Sequence, residues 1–163
     1  MSHPRVAALL SESAPDLLKY FLRRVADAED AADLLSETLE GAWRSERRMP
    51  TDDEPARMWV FGIARNQLRH HRRSVRRRGD LVQNLAQAIV ERRSSPEVDL
   101  DVRAAVESLP EHLSELVKLV HWDGFTLDQS ALLMRIPAST ARSRHVRAKE
   151  LLRAKLLQHS SIV

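Results

Sequence analysis

Glycine occurs only four times in 163 residues, while apolar residues recur every three or four positions along almost the whole chain. A chain with that apolar period and so few glycine hinges is confined to helices, since strands would need a period of two. The pattern predicts an all-α protein. Aromatic residues make up only 4% of the chain, so its core has to be built from Leu, Val and Ala.

The period breaks in places that divide the chain. Helices are predicted from about Ala14 to Val25, from Asp30 to Arg44, and from just after Pro55 through the arginine run to Arg78, with turn residues over 47–55. Gly79 then punctuates the chain, and the pattern weakens as far as Leu100. Arg92-Arg93-Ser94-Ser95-Pro96 has the composition of a linker, although Leu81 to Val90 could form a short helix. The division expected is therefore a first helical domain over 1–79, a flexible linker over 80–100 and a second helical domain over 101–163. Domains this small bury only about 60% of their unfolded surface, so each is marginal alone.

In the second half, a helix is predicted around Val102 to Ser108. Ser108 and Glu111 have capping-box spacing ahead of the stripe Leu113, Leu116, Val117 and Val120. Asp123-Gly124 is a turn signal. Thr126 and Gln129 repeat the capping-box spacing and open a helix to Met134. Arg135-Ile136-Pro137 interrupts it, and a last helix starts at Ala138.

Charge is distributed unevenly over these elements. From Val25 to Trp43 there are six carboxylates and no basic residue. Asp30, Asp33, Glu37 and Glu40 share one helical face, with Ala31, Leu34, Leu35, Leu39 and Trp43 assigned to the core side. Such a face is either simply solvated or docks on a basic protein surface; phosphate would repel it. From Ala56 to Gly79 there are eight arginines, two histidines and no carboxylate. Arg65, Arg69, Arg72 and Arg76 form one stripe, Asn66, His70, Arg73 and Arg77 the next, and Phe61, Ala64, Leu68 and Val75 the apolar side. A basic helix without interleaved acids points to nucleic acid. A membrane surface is the competing partner, but His71-Arg72 interrupts the apolar stripe it would need.

The segment from Thr126 to Lys149 has the proportions of a helix-turn-helix. Its second helix opens with Ser139, Thr140 and Ser143, small hydroxyl residues that allow close approach to phosphate. Arg142, Arg144, Arg147 and Lys149 follow, within reach of base edges in a major groove. The sequence pI near 9.8 agrees with an anionic partner.

Several classes fall away. With no cysteine, disulfides, thiolate zinc sites and a thiol switch are excluded. The seven histidines show no metal-ligand spacing, and no phosphate-cradling glycine loop or nucleophile–base grouping stands out. No cofactor, no metal and no catalytic residue is expected. The N-terminus lacks a signal-peptide core, and no run approaches the ~20 apolar residues of a membrane span. The expected setting is cytoplasmic.

Taken in order, three stretches resemble the extracytoplasmic-function sigma factors of the sigma-70 family, over about Pro15 to Arg153. Ala28-Glu29-Asp30-Ala31-Ala32-Asp33-Leu34-Leu35-Ser36-Glu37-Thr38, followed by Ala42-Trp43-Arg44, is similar to the family's polymerase-docking helix. Trp59-Val60-Phe61-Gly62-Ile63-Ala64-Arg65-Asn66 and the arginines after it resemble the segment that binds and melts the minus-10 element. Ser108-Leu109-Pro110-Glu111-His112, Asp123-Gly124-Phe125-Thr126 and Ile136-Pro137-Ala138-Ser139-Thr140-Ala141-Arg142-Ser143-Arg144 resemble the minus-35-binding domain.

The resemblance implies partners. Asp33 and Glu37, with Asp30, Ser36 and Glu40 on the same helix, would contact the β′ clamp helices of core RNA polymerase, and the second domain its β flap. Arg65, Asn66, Arg69, Arg72, Arg73 and Arg76 would bind the minus-10 region. Ser139, Thr140, Arg142, Ser143, Arg144 and Arg147 would read the minus-35 element of promoter DNA. Members of the family are often held by an anti-sigma factor, and no residue of this chain identifies one.

The chain departs from the family pattern at five positions. Ser36 replaces a usual Gln, Ser130 an aliphatic residue, Arg135 a turn Gly, and Ala141 and His145 larger apolar residues. A Ser130–His145 hydrogen bond across the space left by Ala141 is one reading of these. The preferred one turns His145 to solvent and packs Val146 inward. Two other functions remain open: a stand-alone helix-turn-helix regulator binding as a dimer, and a sigma-like module that binds polymerase with weak DNA contacts.

Overall fold

A computed structural model describes residues 3–78 and 97–160. The described residues are helices and short connections, divided between two compact units at positions 91 and 92. The expected linker lies outside the described residues except for its last positions, 97–100, which begin a helix; the Leu81–Val90 segment lies outside them altogether.

The first unit packs three helices mutually against one another: α1 (His3–Leu22), α2 (Ala28–Arg44) and α3 (Asp53–Arg78), with a 3₁₀ turn over Glu46–Arg48. Helix α1 starts eleven residues before the expected Ala14. The exposed Pro15 suggested a start, because proline suits the first turn of a helix. Instead Val6, Leu10, Ser13, Leu17 and Tyr20 form one buried row at spacings of four, three, four and three. Burying that row outweighs the missing amide at Pro15, which sits inside the helix. Tyr20 meets Phe21 and Phe61 edge to face, with centroids 5.3 and 5.7 Å apart.

Helix α2 is capped by Asp27, whose side chain accepts from the Glu29 amide at 2.9 Å. Its buried row is Ala31, Leu34, Thr38 and Ala42. Leu35 and Leu39 are only half-buried, and Trp43 is 43% exposed. The assignment of Trp43 to the core is therefore wrong. Thr38 occupies the row by donating its hydroxyl to the Leu34 carbonyl at 2.7 Å, which satisfies a polar group inside the core. Ala56, Val60, Phe61, Ala64 and Leu68 of α3 complete the core, and Val75, placed on the apolar side, is half-buried.

The second unit contains α4 (Glu97–Glu107), α5 (Glu111–Val117), a π-turn (Lys118–Trp122), α6 (Leu127–Met134) and α7 (Ala138–Ser160). Helix α7 packs against α4, α5 and α6. Its two apolar clusters are Val106, Leu109, Leu113, Val117 and Ala148, and Leu116, Ala131 and Ala141.

The capping box expected at Ser108 and Glu111 is absent. Pro110 is the N-cap residue and makes no side-chain cap. The Ser108 hydroxyl donates backwards to the Ala105 carbonyl at 2.7 Å and pairs with the Lys155 ammonium, tying α4 to α7. The second box is present: Thr126 Oγ1 accepts from the Gln129 amide at 3.1 Å, and Gln129 Oε1 from the Thr126 amide at 3.0 Å. Helix α6 ends on Arg135 in the left-handed region (φ 56, ψ 47), and the Ile136 amide reaches back to the Ala131 carbonyl at 3.0 Å.

Candidate functional site

On α2, Asp33, Ser36, Glu37 and Glu40 are all exposed on the side away from the buried row. Glu40 pairs with Arg44 one turn on, at the edge of the face. Asp30 is half-buried and lies 3.7 Å from the His71 imidazole of α3, so it is turned partly toward its own unit. The acidic face proper is Asp33, Ser36 and Glu37, continued by Glu40 and the exposed Trp43, which the sequence reading had placed inside. The signal for Trp43 was the spacing 36, 40, 43 along the same face.

On α3, Asn66, Arg69, Arg73 and Arg76 are exposed, while Arg65 and Arg72 are half-buried. Arg57, nearer the start of the helix, covers the Phe61 ring with its guanidinium 4.8 Å from the centroid. The exposed arginines extend over the C-terminal half of the helix, where the apolar side no longer needs to be wide. Their lack of carboxylate neighbours along α3 leaves a continuous positive surface.

On α7, the outermost row is Ser139, Ser143, Val146 and Glu150, spaced four, three and four and all exposed. Arg142 and Arg147 flank this row and are exposed, with Arg147 3.6 Å from Glu150. Thr140 and Arg144 are half-buried at the edge. The buried row is Ala141, His145 and Ala148. Both readings offered for His145 are therefore overturned. His145 is only 8% exposed and Val146 is 56% exposed, the reverse of the preferred reading. Ser130 is fully buried, but its hydroxyl has no hydrogen-bond partner among the described residues. The His145 Nε2 instead lies 3.1 Å from the His121 Nε2 of the π-turn. Burial, then Lys149 and then His121, hold the His145 imidazole below its ordinary pKa.

No group of three or more His, Cys, Asp or Glu side chains among the described residues could hold a metal ion. No helix among them is long and apolar enough to cross a membrane. The arrangement is that of a two-unit helical protein with one acidic face and two arginine-bearing faces, the second on a helix-turn-helix: a class that binds rather than converts. Residues 9–78 match the model of sigma-70 region 2, and residues 99–152 that of sigma-70 region 4. The chain is 32% identical over 146 residues to the ECF RNA polymerase sigma factor SigL of Mycobacterium tuberculosis, covering 84% of this chain and 80% of that protein. It is 26% identical over 149 residues to the RNA polymerase sigma-H factor of Pseudomonas aeruginosa, covering 82% and 77%. Among solved structures, CnrH in complex with the cytosolic domain of CnrY has a similar fold (TM-score 0.67, 19% identity, 94% of this chain and 88% of that one). So does the sigma factor RpoE in complex with the anti-sigma factor NepR from Bartonella quintana (TM-score 0.63, 22% identity, 94% and 95%). The chain belongs to the sigma-70 family, in its extracytoplasmic-function branch, and its function is that of an RNA polymerase sigma factor.

Proposed function

We propose that the two units divide the work of initiation, with residues 1–79 docking on core polymerase and opening the minus-10 element, and residues 101–163 gripping the minus-35 element. The observation that carries this division is the segregation of charge: an exposed acidic face on α2 beside a helix that has no carboxylate after its first turn. Asp33 and Glu37 engage the β′ clamp helices, with Ser36, Glu40 and Trp43 extending the contact and Asp30 at its margin. Trp43 suits the role of an apolar anchor inside a polar rim.

Asn66, Arg69, Arg73 and Arg76 hold minus-10 phosphates and unpaired bases, with Arg65 and Arg72 supporting them from the flank. Strand opening needs no covalent chemistry, because stacking and phosphate contacts to the displaced strand can drive it. The protein is thus an initiation factor and not an enzyme, acting in the cytoplasm where polymerase works. On α7, Arg142, Ser143 and Arg147 face the duplex, with Ser139 at the helix start, and Thr140 and Arg144 contribute from the edge. Val146 joins them as an apolar contact to a base edge, of the kind a thymine methyl accepts. The second unit also meets the β flap, and an anti-sigma factor occupies the polymerase-facing surfaces when the protein is held inactive.

The test is run-off transcription with purified core polymerase on a promoter library. Promoter-specific initiation is expected, and its absence on every template would overturn the reading. Asp33→Arg with Glu37→Arg should abolish core binding while duplex binding by the intact chain persists.

A further inference from the structure

His121 and His145 meet through their Nε2 atoms at 3.1 Å, with ring planes 19° apart and centroids 5.4 Å apart. The centroids are farther apart than the nitrogens by a full ring's diameter, so the rings meet end to end rather than face to face. Two imidazoles in that arrangement need one proton between them. One Nε2 donates and the other accepts, and the acceptor carries its own proton on Nδ1. A further proton can enter on the donor ring and leaves the bond intact, now charge-assisted. The next puts a proton on both facing nitrogens, so the bond is lost and two like charges confront each other.

The pair spans two elements, the π-turn and α7. Over its first turns α7 is held by Ala141, His145 and Ala148. Two of those three are alanines, so His145 is the largest side chain anchoring the helix there. The charged groups on the elements packed around it offer His145 no evident relief. Lys118 of the π-turn is taken up by Glu107 of α4 at 2.9 Å, and Asp128 of α6 is exposed. Glu115 of α5 is buried, and Lys149, one turn along α7, is positive like His121. The exposed His121 accepts the first extra proton and the buried His145 the last.

We infer that His121 and His145 form a proton-operated latch between the π-turn and α7, closed with zero or one extra proton and opened by the second. Its consequence for promoter binding rests on the reading of α7 given above; the latch itself does not.

The experiment uses the full chain without DNA. Imidazole ¹⁵N shifts and amide exchange, normalised for intrinsic rates, are followed from pH 8 to pH 5. Residues 28–44 of the first unit serve as internal reference. His121 should titrate first. Below that, protection over residues 138–150 should fall by up to about tenfold per pH unit, the slope of one proton taken up on opening, while the reference holds. His145→Leu should flatten the profile. His121→Ala should leave α7 less protected than in the wild type already at neutral pH. A flat wild-type profile, or an equal fall in His145→Leu, would overturn the latch.

Discussion

Ser130, Arg135 and His145 each occupy a position that suits another residue better. Ser130 buries a hydroxyl with no partner among the described residues, which costs on the order of 1–3 kcal/mol. Ser130→Ala should therefore raise stability, by about 1 kcal/mol in urea unfolding; an unchanged midpoint would mean the hydroxyl is satisfied in solution. Arg135 holds a left-handed conformation at φ 56, worth about 1 kcal/mol against a residue with a Cβ. Arg135→Gly should gain about 0.5 kcal/mol, the strain relieved less the backbone entropy that glycine loses on folding. These positions were legible in the sequence because spacing alone marks a core row and a turn. The partner of His145 was not. Periodicity assumes 3.6 residues per turn, and His121 sits where that assumption fails, in a turn closed by the Asp123 amide on the Lys118 carbonyl at 2.9 Å.

At the scale of elements, the sequence located the helices more accurately than it located their faces. Helix α3 and the helix-turn-helix emerged with nearly their full extents, since proline and the capping residues bound them. Helix α1 was cut short because a single proline was given more weight than a buried row of five. Pro15 is exposed in mid-helix, where proline is about 3 kcal/mol poorer than alanine. Pro15→Ala should thus stabilise the first unit by about 1–3 kcal/mol, read as a higher Tm. Helix α2 was rotated in the reading because its large apolar residues were taken as core, whereas Ala31, Thr38 and Ala42 form the buried row with Leu34. On α7 the same kind of error exchanged His145 and Val146. If Val146 touches a thymine methyl, replacing minus-35 thymines by uracil should weaken binding of the wild-type holoenzyme a few-fold. Val146→Ala should be indifferent to that replacement.

For the molecule as a whole, opposite charges are kept on separate surfaces. Two arginine-bearing faces make promoter binding a counterion-release process, so affinity should fall steeply with salt. Removing any one exposed arginine that meets a phosphate, Arg69→Ala for example, should reduce the slope of log affinity against log salt by about one. An unchanged slope would remove that side chain from the DNA face. Charge patterning was readable from the sequence because it needs only helical geometry, whereas which half-buried arginines turn inward depends on packing that no spacing reports.

The π-turn over Lys118–Trp122 also says something about how such a chain can vary. A π-turn accommodates one residue more than an α-helical turn would, so it behaves as an absorbed insertion. Removing one residue there, Val120 for instance, would let the helix continue in α-form and swing everything beyond it by about 100° relative to α5. The arginine-bearing helix, the turn before it and the histidine contact would all change register together. This stretch can therefore exchange side chains far more freely than it can change length.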